Sequence, residues 1–368
     1  MHHYRSMESA LSALLEDSLL ESRSLKYTAT ENYKCKKEEI CTDSTREIAE
    51  TANSTGIIYC YEATDVIMCQ TSCPIDVRRR ALALNKMRYN CNYKQMLNHW
   101  KIYSEVASID DTSKENAFFL HGNLNFGHFL FEDLARASLF KKLIRDDCPV
   151  YVLGKPTFAQ VALLSCFSIN AENLIPLDSS KAWCFSRVMH IESQFGRDMD
   201  NKIYQTNGLA KYMRNKVTAQ AKKLISKTFS KKVYLKRGIT EQKRLVNETE
   251  IERYLINRGY HVIDGLGDSI WEQVKAVSEA NIIVGALGAS TALTLFAKDN
   301  AQVIELHPGK GVAGQYNCVH ATLAHSLRYE KLIGKRALLS DNLRNDTIFW
   351  DYIIELWELE SVLSAKEE

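Results

Sequence analysis

Lys236, Arg237, Lys243 and Arg244 fall within nine residues and follow an apolar stretch, 232–236, that reads as a β-strand. Guanidinium groups grip phosphate oxygens two at a time, so such a loop suits an anion. A second segment, Gly285-Ala286-Leu287-Gly288-Ala289-Ser290, follows the apolar run 282–284 and leads into a stretch expected to be helical. Small residues let a ligand approach the backbone, and the N–H groups at a helix start attract negative charge. The spacing matches neither the dinucleotide fingerprint nor the P-loop. Glycines placed this way equally serve close strand-to-helix packing, and clustered cations equally make a solvated loop. Together, though, the two segments fit around a diphosphate. Asn247 and Glu248 begin the next helix as a cap and an acidic first turn. Glu305 ends the strand 302–306 just before His307-Pro308, where a carboxylate could accept both hydroxyls of a ribose; a merely solvated Glu is the plainer alternative.

In the other half of the chain, His128, Glu132 and Arg136 recur at i, i+4 and i+8 of an expected helix, with Phe129, Leu130 and Leu134 on its other faces. As a surface ladder they would contribute about 0.2–0.5 kcal/mol per pair. As chemistry, Glu132 or His128 would be the general base for an acceptor hydroxyl.

The elements that must position these groups read as two α/β series. Strands at 118–120, 150–153 and 173–177 alternate with helices at 127–145 and 157–168. Strands at 232–236, 261–263, 282–284 and 303–306 alternate with helices at 247–258, 269–280 and 289–298. Such alternation implies parallel sheets covered on both faces, with ligands outside the carboxyl ends of the strands. An amphipathic helix at 7–20 and a hairpin at 57–61 and 66–69 precede them, around an irregular stretch 28–55. A helical bridge from Met189 onward joins the two series, and a last helix at 346–365 presents Phe349, Trp350, Ile353, Ile354, Trp357 and Leu363 to a surface across both domains.

With 47 Lys plus Arg against 45 Asp plus Glu, the net charge of +2 offers no field for a nucleic-acid partner. Ten cysteines without a second pair or a His pair at zinc spacing read as idle thiols of a reduced, cytoplasmic chain. The uncharged run 280–297 has the length of a membrane span, but its change from β-branched residues through glycine to Ser-Thr-Ala-Leu marks a soluble βα unit. Asp198-Met199-Asp200 is discounted as a metal motif because it falls in a linker-like stretch.

In order and spacing, Arg237, Arg244, Val246-Asn247-Glu248, Gly259-Tyr260, Glu272-Gln273, Ala280 to Gly285, Gly288-Ala289, Phe296 and Val303-Ile304-Glu305 resemble the C-terminal signature of family 61 of the inverting glycosyltransferases. Asn125, an aromatic, His128, Glu132, Leu134 and Arg136 resemble its looser N-terminal signature. The similarity spans about 118–310. One departure is Leu287, where the family usually has His, so any role of that imidazole at the diphosphate is absent or moved.

The resemblance implies a GT-B architecture of two facing Rossmann-like domains with parallel sheets. Expected boundaries are an extension at 1–110, an acceptor-side domain at 111–205, a nucleotide-sugar domain at 206–335 and a C-terminal helix at 336–368. It implies an inverting, metal-independent transfer from a UDP-sugar to a glycan or lipid-linked glycan in capsule or other surface-glycan assembly, at the inner face of the membrane. Glu132 and His128 would be catalytic. Arg237, Arg244, Asn247, Gln273, Gly285, Gly288, Ala289, Ser290 and Glu305 would hold the donor, and Asn125 and Arg136 the acceptor, with no metal and no cofactor. A non-catalytic glycan or nucleotide binder and a nucleotide-sugar epimerase on the same frame are the alternatives.

Overall fold

The computed structural model describes residues 34–39, 57–68, 75–76, 81–82, 106–108, 117–120, 125–140, 149–178, 182–191, 195–197, 203–205, 207–238, 245–265, 267–309, 317–337 and 351–367. The expected helix at 7–20 lies outside these, as do Lys243, Arg244, Asp198, Asp200, Phe349 and Trp350. The chain divides into two compact units. One comprises Met1–Leu124 with Glu132–Thr206, and the other Asn125–Phe131 with Asn207–Glu368.

The first unit begins with strands β1 (Lys34–Glu39), β2 (Ile57–Met68), β3 (Ile75–Asp76), β4 (Ala81–Leu82), β5 (Val106–Ser108) and β6 (Ala117–Leu120). The chain then enters the second unit as α1 (Phe126–His128) and returns through a π-helical turn over Phe129–Asp133 to α2 (Leu134–Ser138) of the first. Then come β7 (Val150–Leu153), α3 (Phe158–Ser165), β8 (Leu174–Leu177), β9 (Ala182–Ile191), β10 (Phe195–Arg197) and β11 (Ile203–Gln205). Nine described strands form one sheet in the order β4-β3-β2-β9-β6-β7-β8, with β1 on β2 and β5 on β9. The expected parallel strands are there as β6, β7 and β8, which β9 joins in parallel, but the sheet is mixed, because β2 runs antiparallel to β9.

Two expectations change here. The hairpin at 57–69 is a single strand of 12 residues. Glu62-Ala63-Thr64-Asp65 holds no Gly or Pro to reverse the chain, and pairing with β9 from Cys60↔Ile191 to Met68↔Trp183 carries it straight through. Residues from Met189 to Gln205 are strand where described, not bridge helix, since the end of β9 is committed to β2. Phe119 and Tyr151 close the core edge-on against Phe185, with ring centroids 5.6 and 5.4 Å away. Thr157 starts α3 with a capping box: its hydroxyl accepts from Gln160 N–H, and Gln160 Oε1 accepts from Thr157 N–H.

In the second unit α4 (Asn207–Leu224) leads to β12 (Lys232–Leu235), α5 (Glu248–Asn257), β13 (His261–Ile263), α6 (Ile270–Glu279), β14 (Ile282–Ala286) and β15 (Gln302–His307). After them come α7 (Asn317–His325), β16 (Arg328–Ile333), β17 (Lys335–Arg336), β18 (Tyr352–Ile353) and α8 (Leu356–Glu367). Strands β13-β12-β14-β15-β16 make an all-parallel sheet in that order. The fully buried Val/Ile runs of β14 and β15 are what a strand covered on both faces requires.

The expected α-helix after β14 is a 3₁₀ segment, Ala289–Phe296. Thr291 and Thr294 donate their hydroxyls three residues back, to Gly288 O at 2.7 Å and Thr291 O at 2.6 Å, which favours the tighter winding. The C-terminal residues pack on this sheet: Tyr352, Ile354, Leu359 and Leu363 share a core with Tyr234, Leu255, Ile304 and Leu306. Each buried leucine there stabilises by about 1.5–3 kcal/mol. Among the described residues no helix is long and apolar enough to cross a membrane.

Two stability predictions follow from the second unit. A Cβ on Gly334 would fall 2.7 Å from both Ile353 O and the Tyr352 ring, so Gly334→Ala should lower the melting temperature by loosening the C-terminal segment. His325 Nε2 bonds Leu295 O at 2.8 Å inside the core, and burial, then the Arg214 charge, lower its pKa to about 4. The folded value lies below the unfolded ~6.5, so the stabilisation is complete above pH 6.5 and drains away as pH falls toward 4, by up to about 3 kcal/mol. Urea unfolding at pH 7 and pH 4.5 should show that loss, and His325→Gln, which cannot titrate, should shrink it.

Candidate functional site

In the second sheet β12 has β13 on one side and β14 on the other, so the strand order reverses between β12 and β14. Ligands of open parallel sheets bind at the carboxyl ends of strands flanking such a reversal. There β12 runs into Lys236 and Arg237, and β14 into the turn Gly285 to Gly288. An ideal Cβ on Gly288 would lie 2.6 Å from Arg237 Nη1 and 3.5 Å from its Cζ. The guanidinium therefore rests directly on the glycine turn, and the two segments that the sequence presents separately are one site. Gly288 has an ordinary extended backbone, φ 177°, so space and not conformation excludes a side chain. Gly285 does different work: its Cβ would meet Thr291 Cγ2 at 3.2 Å and Leu235 Cβ at 3.4 Å. It serves packing, while Gly288 serves the approach to Arg237.

Glu248, the first residue of α5, sets the direction of the Arg237 loop. Its Oε1 accepts Arg237 N–H at 2.7 Å and the Tyr234 hydroxyl at 2.9 Å, and its Oε2 accepts Gly238 N–H at 3.1 Å. Gly238 sits at φ +73°, where a side chain would be strained. Burial lowers the Arg237 pKa, opposed by the negative charges of Glu248 and Asp351. A guanidinium stays protonated through such a shift, and a partly desolvated cation against backbone amides is an anion receptor. Lys236 is engaged elsewhere, its Nζ 3.0 Å from Glu252 Oε2. Ala289 and Ser290 are half-buried, and the Ser290 hydroxyl oxygen is shielded from solvent with no hydrogen-bond partner among the described residues.

The turn α1 packs against the 3₁₀ segment that follows Gly288. Asn125 builds it, its Oδ1 accepting Gly127 N–H at 3.0 Å and His128 N–H at 3.3 Å. The half-buried His128 is thus carried on an element that lies along the glycine turn's own continuation. Residues 126–304 match the family model of Glycosyltransferase 61. This stretch of the chain is similar to that family. No curated protein matches the chain.

The remaining expected residues separate. Glu132 is buried on the π-helical turn, a rare geometry that recurs at functional positions. Arg136 is 1% exposed with its Nη1 3.8 Å from Asp133 Oδ1, an interior pair and not the exposed group that acceptor binding would need. Asn125 is occupied as a cap. Asn247 does not cap α5 with its side chain. Its amide instead grips Ile354 from both sides, donating to Ile354 O at 2.9 Å and accepting Ile354 N–H at 3.2 Å. Gln273 is buried and donates to Asp268 O at 2.9 Å, beside the Ser269–Glu272 capping box that starts α6.

Glu305 is 1% exposed, not at a solvent-lined strand end where a ribose would meet it. It accepts the Tyr329 hydroxyl at 2.6 Å near the buried Cys318 thiol, and burial pushes its carboxyl up. Thr291 and Thr294 lie beside the same thiol, so Glu305 belongs to a polar cluster beneath the 3₁₀ segment. Leu287 is fully buried.

Tyr352 is the site-side residue that the sequence reading missed. Reading 346–365 as one helix put the apolar face on Phe349, Trp350, Ile353, Ile354, Trp357 and Leu363; Ile354 and Leu363 are buried as expected, Trp357 is exposed, and the strand at 352–353 buries Tyr352, which that reading left out. The Ser-x-x-Glu at 269–272 was legible as a capping box.

Gly288→Ala tests the juxtaposition. The atom that must yield is the tip of a flexible side chain, so the melting temperature should hold while UDP affinity, read by calorimetry, falls at least about tenfold. Gly285→Ala should do the reverse, costing stability first.

Proposed function

We propose that this protein transfers a sugar from a nucleotide-sugar to a hydroxyl of a glycan acceptor, with Arg237 and the Gly288 turn receiving the donor's diphosphate. The carrying observation is the guanidinium seated on that turn at the strand-order reversal, inside a stretch similar to glycosyltransferase family 61. A UDP-sugar, inversion, a GT-B arrangement and a place in surface-glycan assembly are proposed from the family resemblance. Glu132 takes the proton of the acceptor hydroxyl, whose oxygen attacks the anomeric carbon from the face opposite the leaving group. The bond from that carbon to the diphosphate oxygen breaks, and the electron pair leaves with the nucleotide. Charge then grows on the diphosphate, where Arg237 and the turn's backbone amides neutralise it, the work a divalent ion does elsewhere. His128, carried beside the 3₁₀ segment, is proposed to orient the reacting groups.

The roles separate by measurement. Arg237→Ala should weaken UDP binding at least about tenfold, the size of a lost charge-assisted hydrogen bond. Glu132→Gln should cut transfer by about 10²–10⁴ and leave UDP affinity nearly intact. Equal loss of binding and turnover in Glu132→Gln would make it a structural residue, and unchanged UDP affinity in Arg237→Ala would move the donor elsewhere.

A further inference from the structure

We infer that Tyr352, which lies beyond the family-matched stretch, is a positioning residue of the donor site: it ties the Arg237 loop to the glycine turn. This rests on the donor-site reading above.

Both ends of the residue are anchored. On the backbone side, Tyr352 O accepts Val246 N–H at 2.9 Å, and Leu245 pairs with Tyr352 as a parallel bridge. Asn247 then clamps Ile354 through both its N–H and its C=O. Residues 245–247, which lead directly into Glu248, the acceptor of Arg237 N–H, are thus knitted to 352–354. On the side-chain end, the fully buried ring crosses the core and its hydroxyl donates to Leu306 O at 2.9 Å. Leu306 O also accepts Leu287 N–H at 2.9 Å, and Leu287 is the residue immediately before Gly288. The phenol and the turn therefore share one carbonyl acceptor.

Between its two anchors Tyr352 passes close enough to Arg237 for each to act on the other's protonation. Gly334 makes room for the ring, since a Cβ there would come 2.7 Å from it.

The position of a guanidinium over a backbone turn matters at the sub-ångström level for charge-assisted bonds, so loss of one anchor should appear in anion affinity before it appears in folding. The test uses the full chain and titrates UDP and inorganic pyrophosphate into four variants by calorimetry, well below every melting temperature. Tyr352→Phe removes only the hydroxyl and should weaken both ligands about five- to tenfold, the scale of one hydrogen bond. Asn247→Ala, which opens the clamp, should shift affinity in the same direction. Leu363→Ala, in the helix that follows, should lower the melting temperature more than Tyr352→Phe yet keep affinity within about twofold.

Wild-type affinity in Tyr352→Phe, or an equal affinity loss in Leu363→Ala, overturns the inference. If Arg237→Ala loses binding while Tyr352→Phe does not, the donor site stands and only the role of Tyr352 falls. Should Arg237→Ala itself bind like wild type, the donor site and the inference fall together.

Discussion

One carboxylate sets the geometry on which the rest of the second unit's chemistry depends. Glu248 receives two successive backbone N–H groups, those of Arg237 and Gly238, together with a buried phenol. Hydrogen bonds to a charged group contribute about 1.5–3 kcal/mol each, more than neutral ones, and consecutive amides aimed at one acceptor leave the backbone little freedom. The chain must leave β12 in a single direction, and the Arg237 side chain then reaches the backbone at Gly288. Glu248 can do this because it opens α5, where the helix dipole favours its charge.

The turn that receives the guanidinium is held just as firmly from below. The 3₁₀ segment is bonded at its start by Thr291 to Gly288 O, and at its end by His325 to Leu295 O and Arg214 to Ala297 O. Arg214 is itself fixed by Asp299 at 2.6 Å. Beneath the segment Glu305 accepts the Tyr329 hydroxyl in a buried cluster with Cys318, Thr291 and Thr294. Burial that raises the Glu305 carboxyl favours its protonated form, which removes the cost of an interior negative charge. A short segment with this many anchors behaves as a platform, as a receptor for a diphosphate requires.

The first unit answers a different constraint. Its parallel strands need cover and neighbours, and the antiparallel β2 extends the sheet with a strand drawn from the N-terminal region. Glu132 and Arg136 are embedded in this unit's core, and the π-helical turn changes the winding where the polar stripe crosses it.

Much of the second unit was readable because its signals are local. Val/Ile runs separated by helical periods announce a parallel sheet, and the carboxyl ends of its strands point to Arg237 and to the glycine turn. Family spacing likewise marked Glu248. What the one-dimensional pattern left open was the partner of each group. Asn247 has the composition of a cap but bonds a residue 107 positions away. Glu305 looks like a strand-end carboxylate but faces Tyr329 and Cys318, which arrive from β16 and α7. The 57–69 stretch has apolar runs at both ends, and only the length of β9 decided that it would not fold back. Sequence alone determined the alternation of strands and helices in the second unit, since that follows from periodicity and residue type. Tertiary structure decided which polar groups face the ligand and which face one another, because a hydrogen bond is chosen by distance in space, and that is settled only when the sheets close.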